Sequence, residues 1–178
     1  MKHNTIEAKV GGGMKGRNFT DEDETKWNQN DDKAQHEMAT QLVSERLIGR
    51  GLVRMDTPAY GNCQFEAACT SANLLVSGSL FRRQVCDDME RRCVYPKDFI
   101  DYMRPEGNYG NEQSLIGIAT MLRRPVILVT DGPEAKAVET VNPADTVPSE
   151  TWLVPIVMAY YIGRHYEGTV PSGANRGD

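Results

Sequence analysis

The chain has 178 residues, 39% of them hydrophobic, which suits one globular domain with a sizeable core. Its 25 acidic and 20 basic residues give a formal charge of −5, and segment 18–37, with Lys26 and Lys33 among its acidic residues, carries the whole excess. That balance argues against sequence-independent binding of nucleic acid, which needs a basic surface to neutralise phosphates. The pairs Arg82-Arg83, Arg91-Arg92 and Arg123-Arg124 read as solvated helix faces.

Residues 1–29, with Gly11-Gly12-Gly13, read as a flexible leader, 30–170 as the single domain, and 171–178 as a loose tail. With Asn30 or Asp31 as N-cap, 32–49 has helical spacing, its apolar stripe being Met38, Leu42, Val43, Leu47 and Ile48. His36 lies on that helix among charged neighbours and is expected to be exposed, and His3 falls in the leader. Residues 52–55 form a short extended segment that enters a turn-rich loop containing Pro58 and Gly61-Asn62.

Behind that loop, 64–75 has helical spacing, with Phe65, Ala68, Ala72 and Leu75 on one face, so Cys63 falls at a helix start. A lone cysteine there is usually a small buried hydrophobe. Yet free N–H groups and the positive end of the helix dipole favour a thiolate at this position, and the same donors can hold an oxyanion. Ser79 is expected to cap a helix over 80–92, whose Phe81, Val85 and Met89 form its core face. Further helices are expected over 98–103 and 112–123, and strands over 125–130, 137–141, 152–162 (one or two) and 164–170, with 142–151 a loop.

His165 lies in the last strand, with Glu167 two residues on and therefore on the same face. A base that works on a thiol requires such an orienting partner. Cys63, His165 and Glu167 thus form a candidate nucleophile, base and orienter, with a thiolate–imidazolium pair as the expected working state. Helices early and strands late indicate an α+β domain in which the helix bearing Cys63 packs on a small sheet.

The other cysteines, Cys69, Cys86 and Cys93, include no C-x-x-C pair, and no histidine has a partner at metal-ligand spacing, so neither metal nor cofactor is expected. Cys86 and Cys93 read as buried structural thiols. The longest apolar run, 152–162, is interrupted by Pro155 and too short to span a membrane. Free thiols fit a reducing compartment, the cytoplasm or, for a pathogen's protein, the host cytosol.

Three blocks resemble the ovarian tumour (OTU) family of cysteine proteases, most of which are deubiquitinases. Tyr60-Gly61-Asn62-Cys63-Gln64-Phe65-Glu66-Ala67 is similar to the family's nucleophile motif, with Tyr60 where the family has Asp. Tyr109-Gly110-Asn111-Glu112 is similar to its second block, and His165-Tyr166-Glu167 to its histidine block, with Glu167 where the family has Asn or Asp. The resemblance implies a papain-like fold with a small, mainly antiparallel sheet packed between helices. It also implies an oxyanion hole from the backbone of Tyr60, Gly61, Asn62 and Cys63, Asp56 as a substitute orienter, and Tyr109 and Tyr166 along the substrate channel. Its implied activity is hydrolysis after the C-terminal glycine of ubiquitin by a monomer without nucleic-acid or membrane partners. The alternatives are an inactive ubiquitin-binding module, or a protease of this fold acting on a polyprotein or a ubiquitin-like modifier.

Overall fold

The structure, a computed structural model, describes residues 30–173. Among them are helices α1 (Asn30–Ile48), α2 (Cys63–Ala72), α3 (Gly78–Arg92), α4 (Lys97–Met103) and α5 (Glu112–Leu122). The strands are β1 (Leu52–Met55), β2 (Val126–Thr130), β3 (Val138–Val141), β4 (Ile156–Tyr161) and β5 (His165–Pro171). They form one sheet in the order β1-β5-β4-β2-β3, in which β2 and β4 run parallel and every other pair antiparallel. The α+β architecture and the mainly antiparallel sheet are as expected.

Strand alternation divides the interior in two. Val126, Leu128, Ile156, Met158 and Tyr166 face one side, against Phe65 and Ala68 of α2, Phe81, Val85 and Met89 of α3, and Ile118 of α5. Val129, Ala159 and Tyr161 face the other side, against Val43 and Leu47 of α1. Each fully buried Phe or Ile contributes about 1.5–3 kcal/mol. Helix α2 lies directly on β5, where a Cβ on Gly168 would come within 2.4 Å of the Thr70 side chain, so only glycine fits.

Several expectations shift. Helix α2 stops at Ala72 because Asn73 turns left-handed and gives its N–H to Cys69 and Thr70 carbonyls, which leaves Leu75 outside the helix and exposed. Met38 and Ile48 are exposed as well, since α1 needs only Val43 and Leu47 to cover its side of the sheet. Ser77, not Ser79, caps α3, accepting from the Leu80 N–H. Cys93 is exposed at the α3 terminus rather than buried, while Cys86 is in the core. Of 152–162 only Ile156–Tyr161 is strand, and β5 runs on through Pro171, pairing it with Leu52. The proposed N-cap side chains, the leader and residues 174–178 lie outside the side chains or residues described.

The largest departure is Arg82, which is fully buried. Its Nε donates to the Met103 carbonyl (2.6 Å), Nη1 to Gly61 (3.0 Å) and Glu106 (3.1 Å), and Nη2 to Asn108 (2.5 Å). The guanidinium also lies 4.8 Å from the centre of the Phe65 ring. One side chain of α3 thus ties the loop before α2 to the end of α4 and to the loop before α5. We expect Arg82→Met to cost more than about 3 kcal/mol in urea unfolding, because hydrogen bonds to charged groups contribute about 1.5–3 kcal/mol each and the stranded carbonyls stay buried. Arg82→Lys should recover little, a point-like ammonium being unable to span four acceptors. A loss below about 1 kcal/mol for either variant would remove Arg82 from this role.

Candidate active site

β1 ends where Met55 pairs with Gly168, so His165, Tyr166 and Glu167 have no β1 partner and the loop 56–62 runs past them instead. Thr57 anchors it, its hydroxyl donating to the Met55 carbonyl (3.3 Å) and accepting from the Gly168 N–H (3.3 Å). At Gly61 the loop presses on the main chain of Glu106 and Gly107, where any Cβ would sit 2.6 Å from backbone atoms. Cys63 follows as the first residue of α2.

The Cys63 thiol is 1% exposed. Burial pushes its pKa up to about 11, against hydrogen bonds from the Tyr166 N–H, the Tyr109 hydroxyl and the Gln64 N–H, all of which favour the thiolate. In the closed site burial therefore outweighs the start of the helix, and the sulfur keeps its proton. The Tyr166 N–H belongs to the peptide that joins it to His165, so the sulfur rests against the main chain of β5.

His165 is buried too, and burial lowers its imidazole to about 4. A hydrogen bond to the Thr57 carbonyl opposes this, the nearby His36 adds to it, and Asp56 opposes it. The ring stacks on Tyr161 at 6.2 Å between centres, on the α1 side of the sheet, whereas Tyr166 leaves β5 on the α2 side and stacks on Tyr160 at 4.4 Å. His36 is not the exposed residue expected: it is half-buried, 5.9 Å from the Tyr161 ring, and its pKa is lowered by burial and by Arg164 and Arg54. The resting pair is thus neutral thiol and neutral imidazole.

Glu167 does lie on the His165 face, but its Oε1 is 3.9 Å from His165 Nε2, beyond hydrogen-bond range. Both of its oxygens instead accept from Arg54 Nη1 at 3.2 Å, and Oε2 also accepts from the Tyr161 hydroxyl at 3.0 Å. Its pKa is raised by burial despite Arg54 and Tyr161. Asp56, the other candidate orienter, is exposed and bonded to the same Arg54 Nη1 at 2.7 Å.

Of the four amides expected in the oxyanion hole, two are already engaged: Tyr60 donates to Pro58 (3.0 Å) and Cys63 to Tyr60 (2.9 Å). The N–H groups of Gly61 and Asn62 have no partner among the described residues. Tyr109 meets the thiol, and Tyr166 is packed in the core. Gln64 accepts from the Ser114 hydroxyl (2.6 Å) and donates to the Asn111 carbonyl (3.2 Å), which locks the start of α2 to the start of α5. A Cβ on Gly110 would lie 2.3 Å from the Gln64 amide, which explains the glycine after Tyr109. Arg54, Thr57, Tyr161 and Gln64 are the site residues that sequence patterns did not single out.

Among the described residues no cluster of His, Cys, Asp or Glu could hold a metal ion, and no helix is long and apolar enough to cross a membrane.

No family model and no curated protein matches the sequence. Solved structures do match. The chain is similar to the OTU domain of OTUD1 with a TM-score of 0.62 at 18% identity, over 78% of this chain and 98% of that one. It is also similar to an ovarian tumour domain in complex with ubiquitin (TM-score 0.53, 17% identity, 67% and 69% covered). A third likeness is to the Hazara virus OTU bound to ubiquitin (TM-score 0.50, 12% identity, 69% and 83% covered). The chain is built on the fold of the ovarian tumour (OTU) family.

Proposed function

We propose that the protein is a thiol-dependent deubiquitinase that cleaves peptide or isopeptide bonds after the C-terminal glycine of ubiquitin. The carrying observation is the thiol of Cys63, at the start of α2, resting against the peptide between His165 and Tyr166 in an OTU fold. Similar domains solved with ubiquitin support the substrate.

In this reading His165 takes the thiol proton and the sulfur adds to the glycine carbonyl, whose oxygen becomes negative beside the Gly61 and Asn62 amides. His165 then returns the proton to the leaving lysine amine as the carbon–nitrogen bond breaks. Water, deprotonated by His165, releases the ubiquitin carboxylate and restores the thiol. Because both groups rest neutral and the sulfur is enclosed, substrate must displace the Tyr109 hydroxyl from the thiol before proton transfer becomes favourable.

A second reading, an OTU module that binds ubiquitin without cleaving it, is favoured by the 3.9 Å gap between Glu167 and His165 and by the raised thiol. A ubiquitin bearing a C-terminal electrophile separates the two: covalent adduct supports the enzyme, and binding without adduct supports the module. Cys63→Ala should lower di-ubiquitin cleavage by at least roughly a thousandfold, as expected when a nucleophile is deleted, with turnover near wild type removing Cys63 from the chemistry.

The charge state gives a further check. With the thiol raised to about 11, alkylation of Cys63 by iodoacetamide in the free protein should keep rising, by roughly tenfold per pH unit, from pH 7 to pH 10, since only the thiolate reacts. Peptide-level mass spectrometry reads this for Cys63 alone. A plateau already reached by pH 7 would mean a preformed thiolate.

A further inference from the structure

Glu167 occupies the position from which a carboxylate would steer the imidazole, yet it is spoken for. Arg54 Nη1 holds both of its oxygens at 3.2 Å and the Tyr161 hydroxyl holds Oε2 at 3.0 Å, which leaves Oε1 3.9 Å from His165 Nε2. Tyr161 at the same time presents its ring to His165, with an interplanar angle of 16°. The same Arg54 nitrogen reaches Asp56, and the arginine walls a groove of about 420 Å³ between α1 and β1, lined also by Ser44, Ile48, Val53, Met55 and Asp56. The guanidinium therefore sits between a buried carboxylate and an exposed one.

We propose that Arg54 is a positioning residue of this site: by clamping Glu167 with the help of Tyr161, it holds the carboxylate off His165, so that the imidazole is placed by the Tyr161 ring and the Thr57 main chain. The inference rests on His165 being the base of the reaction proposed above, but its geometry stands apart from any turnover. The groups around the imidazole are Tyr161 from β4, His36 from α1, Asp56 and the Thr57 carbonyl from the loop, and Glu167 on its own strand, with Arg54 from β1 behind Glu167 and Asp56. Arg164 beside it is paired with Asp131. Of the carboxylates among these, only Glu167 is both buried and close enough to bond the ring after a small shift, and Arg54 is what restrains it.

The test is the titration of the His165 ring by NMR in the full chain, alongside ubiquitin-electrophile labelling. Arg54→Gln frees Glu167 to bond the imidazole, and the midpoint should rise by at least about one pH unit, tenfold in proton affinity. The acidic limb of any cleavage profile should move up with it. Arg54→Lys keeps the charge at Glu167 and should titrate like wild type. Glu167→Gln, with Arg54 in place, should move the midpoint by less than about half a unit.

An unchanged midpoint in folded Arg54→Gln would overturn the proposal. So would a fall of about one unit in Glu167→Gln, the mark of a carboxylate that acts on the ring directly. Should Arg54→Gln not fold, the Glu167→Gln titration decides alone. Absent labelling with these titrations as expected would sink the enzymatic reading and leave the clamp, and labelling with contrary titrations would do the reverse.

Discussion

The buried guanidinium of Arg82 is the constraint on which the site depends. A chain that turns from β1 into α2 must expose carbonyls at its bend, and one that leaves α4 for α5 must do the same. Packing these two bends together, as the contact of Gly61 with Glu106 and Gly107 requires, would bury unsatisfied acceptors. Arg82 supplies donors to both bends at once, and Phe65 covers its face. Gln64 then repeats the device one turn away, bonding α2 to the capping residues of α5. The position of Cys63 is therefore set from the helical side by polar groups sunk in an apolar layer.

From the sheet side the site is set by where β1 stops. Had β1 continued past Met55, its main chain would have filled the edge of β5 that the sulfur now occupies. Two opposed effects then fix the charge. The helix start and the donors at Tyr109 and Tyr166 favour a thiolate, whereas enclosure favours a thiol, and enclosure prevails. For His165 the enclosure again prevails over the Thr57 carbonyl and Asp56. A closed pair that is neutral on both sides costs little to bury.

The elements were legible where one physical signal dominated. Helical spacing of Phe81, Val85 and Met89 located the core face of α3, and the i, i+2 relation of His165 and Glu167 put both on one face of β5. The sequence failed where a residue's fate depends on a distant partner. Arg82 read as half of a solvated pair, although its spacing of three and four to Val85 and Cys86 puts it on the buried face, and that spacing was the available signal. Glu167 could be placed beside His165, but not its preference for Arg54, which lies 113 residues away and becomes a neighbour only when β1 pairs with β5. The charged neighbours of His36 in sequence point to solvent, while Tyr161, whose ring packs near it, arrives from β4. Leu75 followed the period of α2, and only the left-handed Asn73 shows that the helix has ended before it.

The proposed reaction needs Cys63 and His165 to act as one nucleophile and base at the edge of β5. A crystal structure of the adduct with a ubiquitin electrophile measures this directly. The expected adduct is a thioether on Cys63 with the His165 ring within about 4 Å of the sulfur, the reach of a hydrogen bond to sulfur. An adduct on Cys69, Cys86 or Cys93, or an imidazole still turned away against Tyr161 with no approach to the sulfur, would contradict it.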